Sequence, residues 1–449
     1  MYKNTIHTAE ITAFGADGEG IAKPEGFTVF VPSAVKGDTA EILIVKEKKN
    51  FGYGKLLNVV SPSPLRTKPM CDVFGKCGGC SMQSVTYEAQ LEYKKNKVRD
   101  ALRRIGGFCD AEVSSVTGSE PCYHYRNKAQ FPVVLTDEGV KAGFYAPHSH
   151  RVVVPGECSL QDERTNRVVS AVCDWATQNN IPVYDEKDGS GILRRICMRI
   201  GKDEAVLVLV AKKNLPCTES LTDKIAGGFP FVKGIVININ SDRTNNVYGE
   251  RDKVIYGVPY IYDNIGDIKY KVHYKSFYQV NPYTTRLLYE KALALAKLDK
   301  TKTVFDLYCG TGSISLFLAK EAKRVIGIEI LEDAVKNAVE NAKLNGIENA
   351  EFFCGEAENV APTLIKNGEK ADVVVLDPPR KGCEEKLLSA IASMKPERIV
   401  YVSCDCATMA RDAKYLCENG YKLKEAHAFD QFPHTSHVEC CVLLCRENN

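Results

Sequence analysis

The chain has 449 residues, of which 44% are hydrophobic and 26% charged, and its formal net charge is +2 at neutral pH. This composition is typical of a globular protein and excludes a wholly disordered chain. The longest apolar run, residues 205–211, is far shorter than the roughly 20 residues that cross a bilayer, and the polar start lacks an apolar signal core. We therefore expect a cytoplasmic protein of roughly three domains, without membrane association and with no obligate protein partner evident.

The 18 cysteines are numerous for a chain of this kind. In a reducing compartment they should stay as thiols, which disfavours a disulfide framework. Most of them, such as Cys173 and Cys197 in apolar stretches, are expected to be small buried side chains. Two groups differ and are considered below.

Residues 1–60 form the first predicted domain. Short strands alternate there with glycine-containing turns, for example at 15–20 and 34–38. Several short strands in about fifty residues predict a small closed barrel of the oligonucleotide-binding kind. The pattern alone is equally compatible with RNA binding and with a purely structural module.

A cysteine-rich segment at 71–80 opens the second predicted domain, residues 61–268. Cys71, Cys77 and Cys80 have the spacing C-x5-C-x2-C, and Cys158 offers a fourth thiolate. Zinc sites usually have paired CxxC spacings, whereas an asymmetric triplet with a distant fourth cysteine favours a cubane iron–sulfur cluster. Zinc and free thiols remain the alternatives at this point.

The rest of the second domain is predicted to be α+β. A helix at 87–107 ends at a glycine, and the region of about 86–117 is a candidate to pack on the following domain. From 269 to 449 apolar strands alternate with helices, which predicts a doubly wound, Rossmann-like parallel sheet. Its first helix should begin at Pro282 with Asn281 as the cap.

A cofactor site is predicted at the first strand of this sheet. Gly310 and Gly312 let the backbone approach a ligand, but Ser315 stands where a dinucleotide fingerprint has its third glycine. The next strand ends at Glu329, which can accept hydrogen bonds from both ribose hydroxyls, and no phosphate-binding lysine follows the glycines. The pattern therefore favours S-adenosylmethionine.

Three further segments are expected at the same edge of the sheet, because ligands of open α/β sheets lie outside the carboxyl ends of the strands. They carry Asp377, Cys404 and Glu439, the last together with His434 and His437. A thiolate is a soft nucleophile that adds to activated double bonds such as C6 of a pyrimidine. The HxxH spacing has no third ligand nearby, so we expect these histidines to position Glu439 or the substrate rather than a metal.

Five ordered motifs together resemble the RNA uracil-5 methyltransferases, and residues 8–60 are similar to the TRAM domain of some members. The motifs are SFYQVN at 276–281, DLYCGTGSISL at 306–316, DPPRKG at 377–382, SCDCATMARD at 403–412 and DQFPHTSHVE at 430–439. The resemblance implies that Cys404 is the nucleophile, that Glu439 is the general base, and that Phe277 and His434 contact the substrate, with Phe277 stacking on a flipped nucleotide. It also implies that Gln279, Tyr308, Glu329 and Asp377 contact S-adenosylmethionine or the target base, with Asp377 closest to both. Gly310 and Gly312 of the glycine turn complete the predicted cofactor contacts.

The same resemblance extends to the cysteines and to the RNA. The iron–sulfur branch of the family implies a [4Fe–4S] cluster on Cys71, Cys77, Cys80 and Cys158, with a role in folding or in shaping RNA. A TRAM domain together with this cluster makes 23S ribosomal RNA the preferred substrate and transfer RNA the alternative. Cys406 is a departure, because many members are expected to have proline there.

Other functions fit the residues less well. A 5-methylcytosine enzyme usually has a cysteine in the proline loop, which here reads Asp377-Pro378-Pro379-Arg380. Methylation of the adenine amino group needs an aromatic residue where Arg380 stands and leaves Cys404 without a role. A non-catalytic RNA-binding or folding factor and a dinucleotide oxidoreductase complete the alternatives.

Overall fold

Five strands close into a barrel at the N-terminus of the computed structural model, which describes residues 3–244 and 246–447. The strand order β1-β2-β3-β5-β4 confirms the predicted barrel, and residues such as Ile11, Val29 and Ile42 fill its interior. The strands are β1 (Ile6–Phe14), β2 (Gly20–Ala22), β3 (Thr28–Val31), β4 (Thr39–Glu47) and β5 (Phe51–Ser61), with a 3-10 turn at Pro24–Gly26.

The central part is built on a six-stranded sheet with helices against it. It contains α1 (Tyr87–Arg104), β6 (Ser115–Thr117), β7 (Lys128–Thr136), β8 (Gly139–Ala142), β9 (Phe144–Tyr145), β10 (Val152–Val153), α2 (Glu163–Gln178), β11 (Leu193–Ile200), β12 (Ala205–Ala211), α3 (Thr218–Gly228), β13 (Val232–Ile239), β14 (Arg251–Gly257), β15 (Tyr260–Ile265) and β16 (Ile268–His273). The order β14-β13-β12-β11-β7-β8 forms the sheet, and two hairpins, β9 with β10 and β15 with β16, stand apart from it. The apolar run 205–211 is β12, a central strand that is buried along its whole length.

The C-terminal part is the predicted doubly wound α/β unit. Its elements are α4 (Pro282–Ala296), β17 (Thr303–Leu307), α5 (Ser313–Ala319), β18 (Arg324–Glu329), α6 (Glu332–Leu344), β19 (Ala350–Cys354), α7 (Ala357–Lys366), β20 (Val373–Leu376), α8 (Glu385–Met394), β21 (Arg398–Ser403), α9 (Cys406–Glu418), β22 (Tyr421–Phe429) and β23 (Glu439–Arg446). The sheet order is β19-β18-β17-β20-β21-β23-β22-β6. Only β23 runs against the others, so its first residue lies at the carboxyl ends of the parallel strands.

Two elements from the middle of the chain, one strand and one helix, pack on the C-terminal α/β unit. Strand β6 pairs with β22 and forms the edge of the sheet, while α1 packs against α9. The buried ammonium of Lys94 on α1 forms an ion pair with the buried Asp430, immediately after β22. Residues 87–117 are therefore tied to the segment that leads to β23. The domain boundaries at 60 and 268 remain predictions.

Two local predictions can be compared directly with the structure. Helix α4 begins at Pro282, and the side chain of its cap, Asn281, accepts a hydrogen bond from the Thr284 amide. Among the described residues, no helix is long and apolar enough to cross a membrane.

Candidate active site

The glycine turn after β17 forms the first wall of the site. Tyr308, Gly310 and Gly312 all have positive φ, and Gly312 is the N-cap residue of α5. A β-carbon on Gly312 would approach the ring of Phe352 to 3.2 Å, so a side chain would be both strained and crowded there. The turn thus brings bare backbone close to the carboxyl end of β17.

Glu329 is held at this turn, as the sequence predicted for a cofactor site. Its carboxylate accepts a hydrogen bond from the Gly310 amide at 3.1 Å and another from the Leu331 amide at 2.9 Å. The structure therefore brings Glu329 and Gly310 together. The Tyr308 hydroxyl donates to Glu358 at 2.6 Å, a contact that the sequence did not indicate.

Two further carboxylates are close to this wall. Burial raises the pKa of Asp377, at the end of β20, to about 7. Burial also raises the pKa of Asp306, inside β17, to about 7, and the charges of Asp377 and Glu329 act in the same direction. Ser315 donates a hydrogen bond to Asp306, which explains the serine at the third position of the glycine turn. Three carboxylates in one low-dielectric region favour a positively charged ligand.

Cys404 and Glu439 are brought together by the antiparallel pairing of β21 with β23. Ser403 is opposite Cys440, so the residue after β21 lies beside the first residue of β23. The pKa of Glu439 is raised to about 8 by burial and by the charge of Asp377. The pKa of Cys404 is raised to about 11 by burial and by the charges of Glu439 and Asp377. The predicted nucleophile, base and cofactor carboxylate thus form one cluster.

Arg380 is the residue of this cluster that sequence reasoning did not assign. Burial has the largest effect on the pKa of the Cys404 thiol and raises it, whereas the nearby Arg380 guanidinium lowers it. Its charge also favours the ionised form of Glu439. The signal was present in the DPPRKG motif, where the arginine follows Asp377 by three residues.

Phe277 and Gln279 occupy different environments although both belong to the SFYQVN motif. The ring of Phe277 is 70% exposed and free to meet a ligand. Gln279 is buried, and its side-chain oxygen accepts a hydrogen bond from Gln431 at 3.4 Å. The Gln279 carbonyl accepts from Asn127 at 2.8 Å, which ties the motif to the central domain.

The side chain of His434 contacts Gln90 and Tyr123 rather than Cys404 or Glu439. It is buried, its ring stacks on Tyr123 with centroids 4.1 Å apart, and Gln90 donates to its Nδ1 atom at 3.2 Å. Burial lowers the pKa of His434 to about 4, so the ring is neutral. The pKa of His437 is lowered by partial burial and then by the charge of Arg380, with smaller effects of other nearby cations. His434 therefore supports the loop, whereas His437 experiences the charge of Arg380.

Cys406 is a buried packing residue at the first position of α9. Its thiol donates to the carbonyl of Lys97 on α1 at 3.8 Å. Asp405 caps the same helix by accepting from the amides of Ala407 and Thr408. Cys406 thus joins the helix after the nucleophile to α1.

The four cysteines predicted to hold an iron–sulfur cluster border one small cavity. Cys71, Cys77, Cys80 and Cys158 line it together with Arg126. Two sulfur atoms already accept hydrogen bonds, Cys77 from the Gly79 amide and Cys80 from Gln83, both at 3.3 Å. Burial raises the pKa of Cys80 to about 12, and the charge of Cys158 acts in the same direction. Across residues 3–244 and 246–447, however, no group of three or more His, Cys, Asp or Glu side chains is placed so that it could hold a metal ion.

Comparison with known proteins adds independent findings. Residues 247–447 match the family described as tRNA (Uracil-5-)-methyltransferase, and residues 1–57 match the TRAM domain. The chain is 46% identical to an uncharacterized RNA methyltransferase of Clostridium tetani, over 98% of this chain and 96% of that protein. An uncharacterized RNA methyltransferase of Bacillus cereus is 47% identical, over 96% and 94% of the respective lengths.

A solved structure resembles the whole chain. It is the crystal structure of the Pyrococcus abyssi tRNA (uracil-54, C5)-methyltransferase in complex with S-adenosyl-L-homocysteine. The TM-score is 0.79 at 29% sequence identity, and the match covers 98% of this chain and all of that one. The likeness therefore extends over the barrel, the central part and the α/β unit.

Proposed function

The chain belongs to the RNA uracil-5 methyltransferase family, in the form that carries a TRAM domain, and from that membership we propose that it methylates C5 of a uridine in structured RNA through a covalent adduct at Cys404. It is an S-adenosylmethionine-dependent RNA methyltransferase. The observation that carries the proposal is the position of Cys404 beside Glu439 and Asp377 at one edge of the sheet.

The cofactor side is supported by the carboxylates. S-adenosylmethionine, when bound, supplies the methyl group as an electrophile on a positively charged sulfur. The charges of Asp377 and Glu329 add to burial in raising the pKa of Asp306, so a cation beside these three carboxylates would favour the ionised form of Asp306. Glu329 would hold the ribose hydroxyls, while Tyr308, Gly312 and Gln279 would border the cofactor.

The roles of Cys404 and Glu439 follow from the chemistry of the uracil ring, because its C5 atom is too weak a nucleophile to take the methyl group directly. The Cys404 thiolate adds to C6, forming a carbon–sulfur bond and moving electron density to C5. Once C5 carries the methyl group, Glu439 takes the C5 proton, the carbon–sulfur bond breaks, and the double bond and the thiolate are restored. Arg380 stabilises the Cys404 thiolate before it adds to C6 and again when it is released, and it stabilises the Glu439 carboxylate until that group takes the proton. The exposed ring of Phe277 would stack on the uridine, which must leave its helix to reach Cys404.

The chemistry of the donors supports a [4Fe–4S] cluster in the cysteine cavity, although the four thiols as placed in residues 3–244 and 246–447 do not form a metal-binding group. Four thiols face one space, two of the sulfurs accept N–H hydrogen bonds, and the buried Arg126 offsets negative charge. Cys71, Cys77, Cys80 and Cys158 would hold the cluster, which would join the 71–80 segment to the start of α2. We assign it a structural role.

Two RNA substrates compete. The combination of barrel and cysteine segment favours 23S ribosomal RNA. The similarity over the whole chain to a structure named as a tRNA (uracil-54, C5)-methyltransferase favours transfer RNA as the second candidate.

One experiment tests chemistry and substrate together. Protein purified without oxygen is given labelled S-adenosylmethionine with unmodified 23S ribosomal RNA or transfer RNA transcripts, and methylated uridines are mapped by mass spectrometry. We expect 5-methyluridine in the ribosomal transcript, no product with Cys404→Ala, and full product with the control Cys109→Ala, which removes an exposed thiol. Product on transfer RNA alone would replace the preferred substrate, and product with Cys404→Ala would refute the mechanism.

A further inference from the structure

An open cavity of about 970 Å³ lies outside the cluster described above. It is bordered by the start of α1, by residues 118–124, by the start of α2 and by the first turn of α4. Pockets that bind small ligands have volumes of about 300–1,000 Å³, so this one can accept a group as large as a nucleotide. No step of the proposed methyl transfer uses it.

Aromatic rings form a prearranged part of its wall. Tyr123 is fixed by stacking on the buried His434, at an interplanar angle of 22°. The Tyr87 hydroxyl accepts a hydrogen bond from the Ser119 amide at 2.7 Å. Tyr283 adds a third ring that is 49% exposed. Rings that are already ordered favour a flat ligand that can stack on them.

The charged groups of the cavity restrict the ligand further. Asp162 is already engaged with the Arg164 side chain and with its amide. Glu120 is exposed and has no hydrogen-bond or ion-pair partner within residues 3–244 and 246–447. Glu163 is also exposed, and its Oε1 atom lies 3.9 Å from Nε2 of His124. Free carboxylates repel phosphate but accept hydrogen bonds from N–H groups. The guanine Watson–Crick edge presents two adjacent N–H donors, which suits a carboxylate.

The cavity is connected to both sites described above. Ser119 accepts a hydrogen bond from Asn281, the cap of α4, at 2.9 Å. On the other side, the His124 amide donates to the carbonyl of Ser159, the residue after Cys158, at 2.9 Å. The wall of the cavity is therefore attached to the SFYQVN motif and to the cysteine segment.

Resting on the proposed function, we propose that this cavity binds one unstacked guanine base of the substrate RNA. The three tyrosines stack on or enclose the base, and Glu120 accepts from its N1 and N2 groups. A guanine held there anchors the RNA strand while a uridine elsewhere in the same RNA reaches Cys404. The cavity would thus contribute to the choice of RNA without taking part in the chemistry.

The first test measures RNA affinity and methylation kinetics for Tyr283→Ala, with Tyr256→Ala as the control. Tyr256 is also an exposed tyrosine, on β14, and does not line the cavity. Because stacking on an aromatic ring strengthens binding about five- to 150-fold per base, we expect the Kd and KM of Tyr283→Ala to rise at least fivefold with kcat unchanged. A rise smaller than fivefold relative to the control would overturn the inference.

The second test addresses the base itself. RNA in which inosine replaces guanosine lacks the N2 amino group, so the wild-type protein should bind it more weakly than the guanosine RNA. Glu120→Gln should bind the two RNAs alike. An equal preference for guanosine in wild type and Glu120→Gln would overturn the assignment. If wild-type protein binds RNA with the expected guanine dependence but transfers no methyl group, the proposed function fails and this inference stands.

Discussion

The ion pair between Lys94 and Asp430 supports the most direct quantitative prediction. Both side chains are fully buried, and the Lys94 ammonium also donates to the Phe432 carbonyl at 3.0 Å. Asp430 opens the loop that leads to Glu439, so this pair fixes the catalytic base from α1. We consider the substitution Lys94→Met, which keeps most of the side-chain volume and removes the charge.

The expected loss in the free energy of unfolding follows from the unpaired carboxylate that the substitution leaves behind. Asp430 keeps its buried carboxylate, of which Oδ2 has no hydrogen-bond partner within residues 3–244 and 246–447, and it loses the only cation paired with it in that part of the chain. Removing one partner of a buried ion pair destabilises a protein by about 3–5 kcal/mol. Lys94→Met should lower the free energy of unfolding by that amount. The double variant Lys94→Met/Asp430→Leu should recover most of it, because no buried charge is left unpaired.

Urea unfolding monitored by tryptophan fluorescence and by circular dichroism measures the effect. Lys95→Met is the matched control, since Lys95 is only half-buried and should change the free energy of unfolding by less than about 0.5 kcal/mol. A loss below about 1 kcal/mol for Lys94→Met would refute the reasoning, as would a double variant no more stable than the single one.

Three further predictions follow from the site. The turnover rate should rise between pH 6 and 9, because Glu439 must be ionised to take the C5 proton and its pKa is raised to about 8. A bound cation lowers that pKa, so the midpoint should lie at or below 8, and a turnover rate that falls with pH would contradict this. Arg380→Gln should slow alkylation of Cys404 at pH 8 roughly tenfold, since losing a neighbouring cation raises the thiol pKa by about one unit, whereas Lys381→Gln should not; mass spectrometry of the Cys404 peptide measures both. Cys158→Ser should abolish the iron content and visible absorption of anaerobically purified protein, whereas the exposed-thiol control Cys217→Ser should retain both; iron retained by Cys158→Ser would remove this cysteine from the cluster.

Local sequence patterns predicted much of the architecture. Strand length, glycine turns and helix caps depend on neighbouring residues. The barrel, the alternating α/β order and the cap at Asn281 could therefore be predicted from the sequence. The motifs likewise placed Cys404, Asp377 and Glu329 at strand ends. Since the carboxyl ends of parallel strands share one edge, their convergence was predictable without coordinates.

The assignment of the two histidines shows what a pattern could not decide. His434 and His437 are three residues apart in one loop, and nothing in their spacing tells which one faces Arg380. The structure buries His434 against Gln90 of α1 and leaves His437 at the cluster. That choice depends on a helix more than 300 residues earlier in the chain.

The sequence by itself therefore determined the kinds of elements, their order and the reactive side chains at their ends, because these follow from short-range periodicity and backbone chemistry. Only the tertiary structure decided that β6 pairs with β22 at the edge of the C-terminal sheet, that β23 runs antiparallel and so presents Glu439 to Cys404, and that the charge of Arg380 acts on both groups. These features depend on pairing and burial between distant segments. Their free energies arise from long-range contacts that no local pattern records.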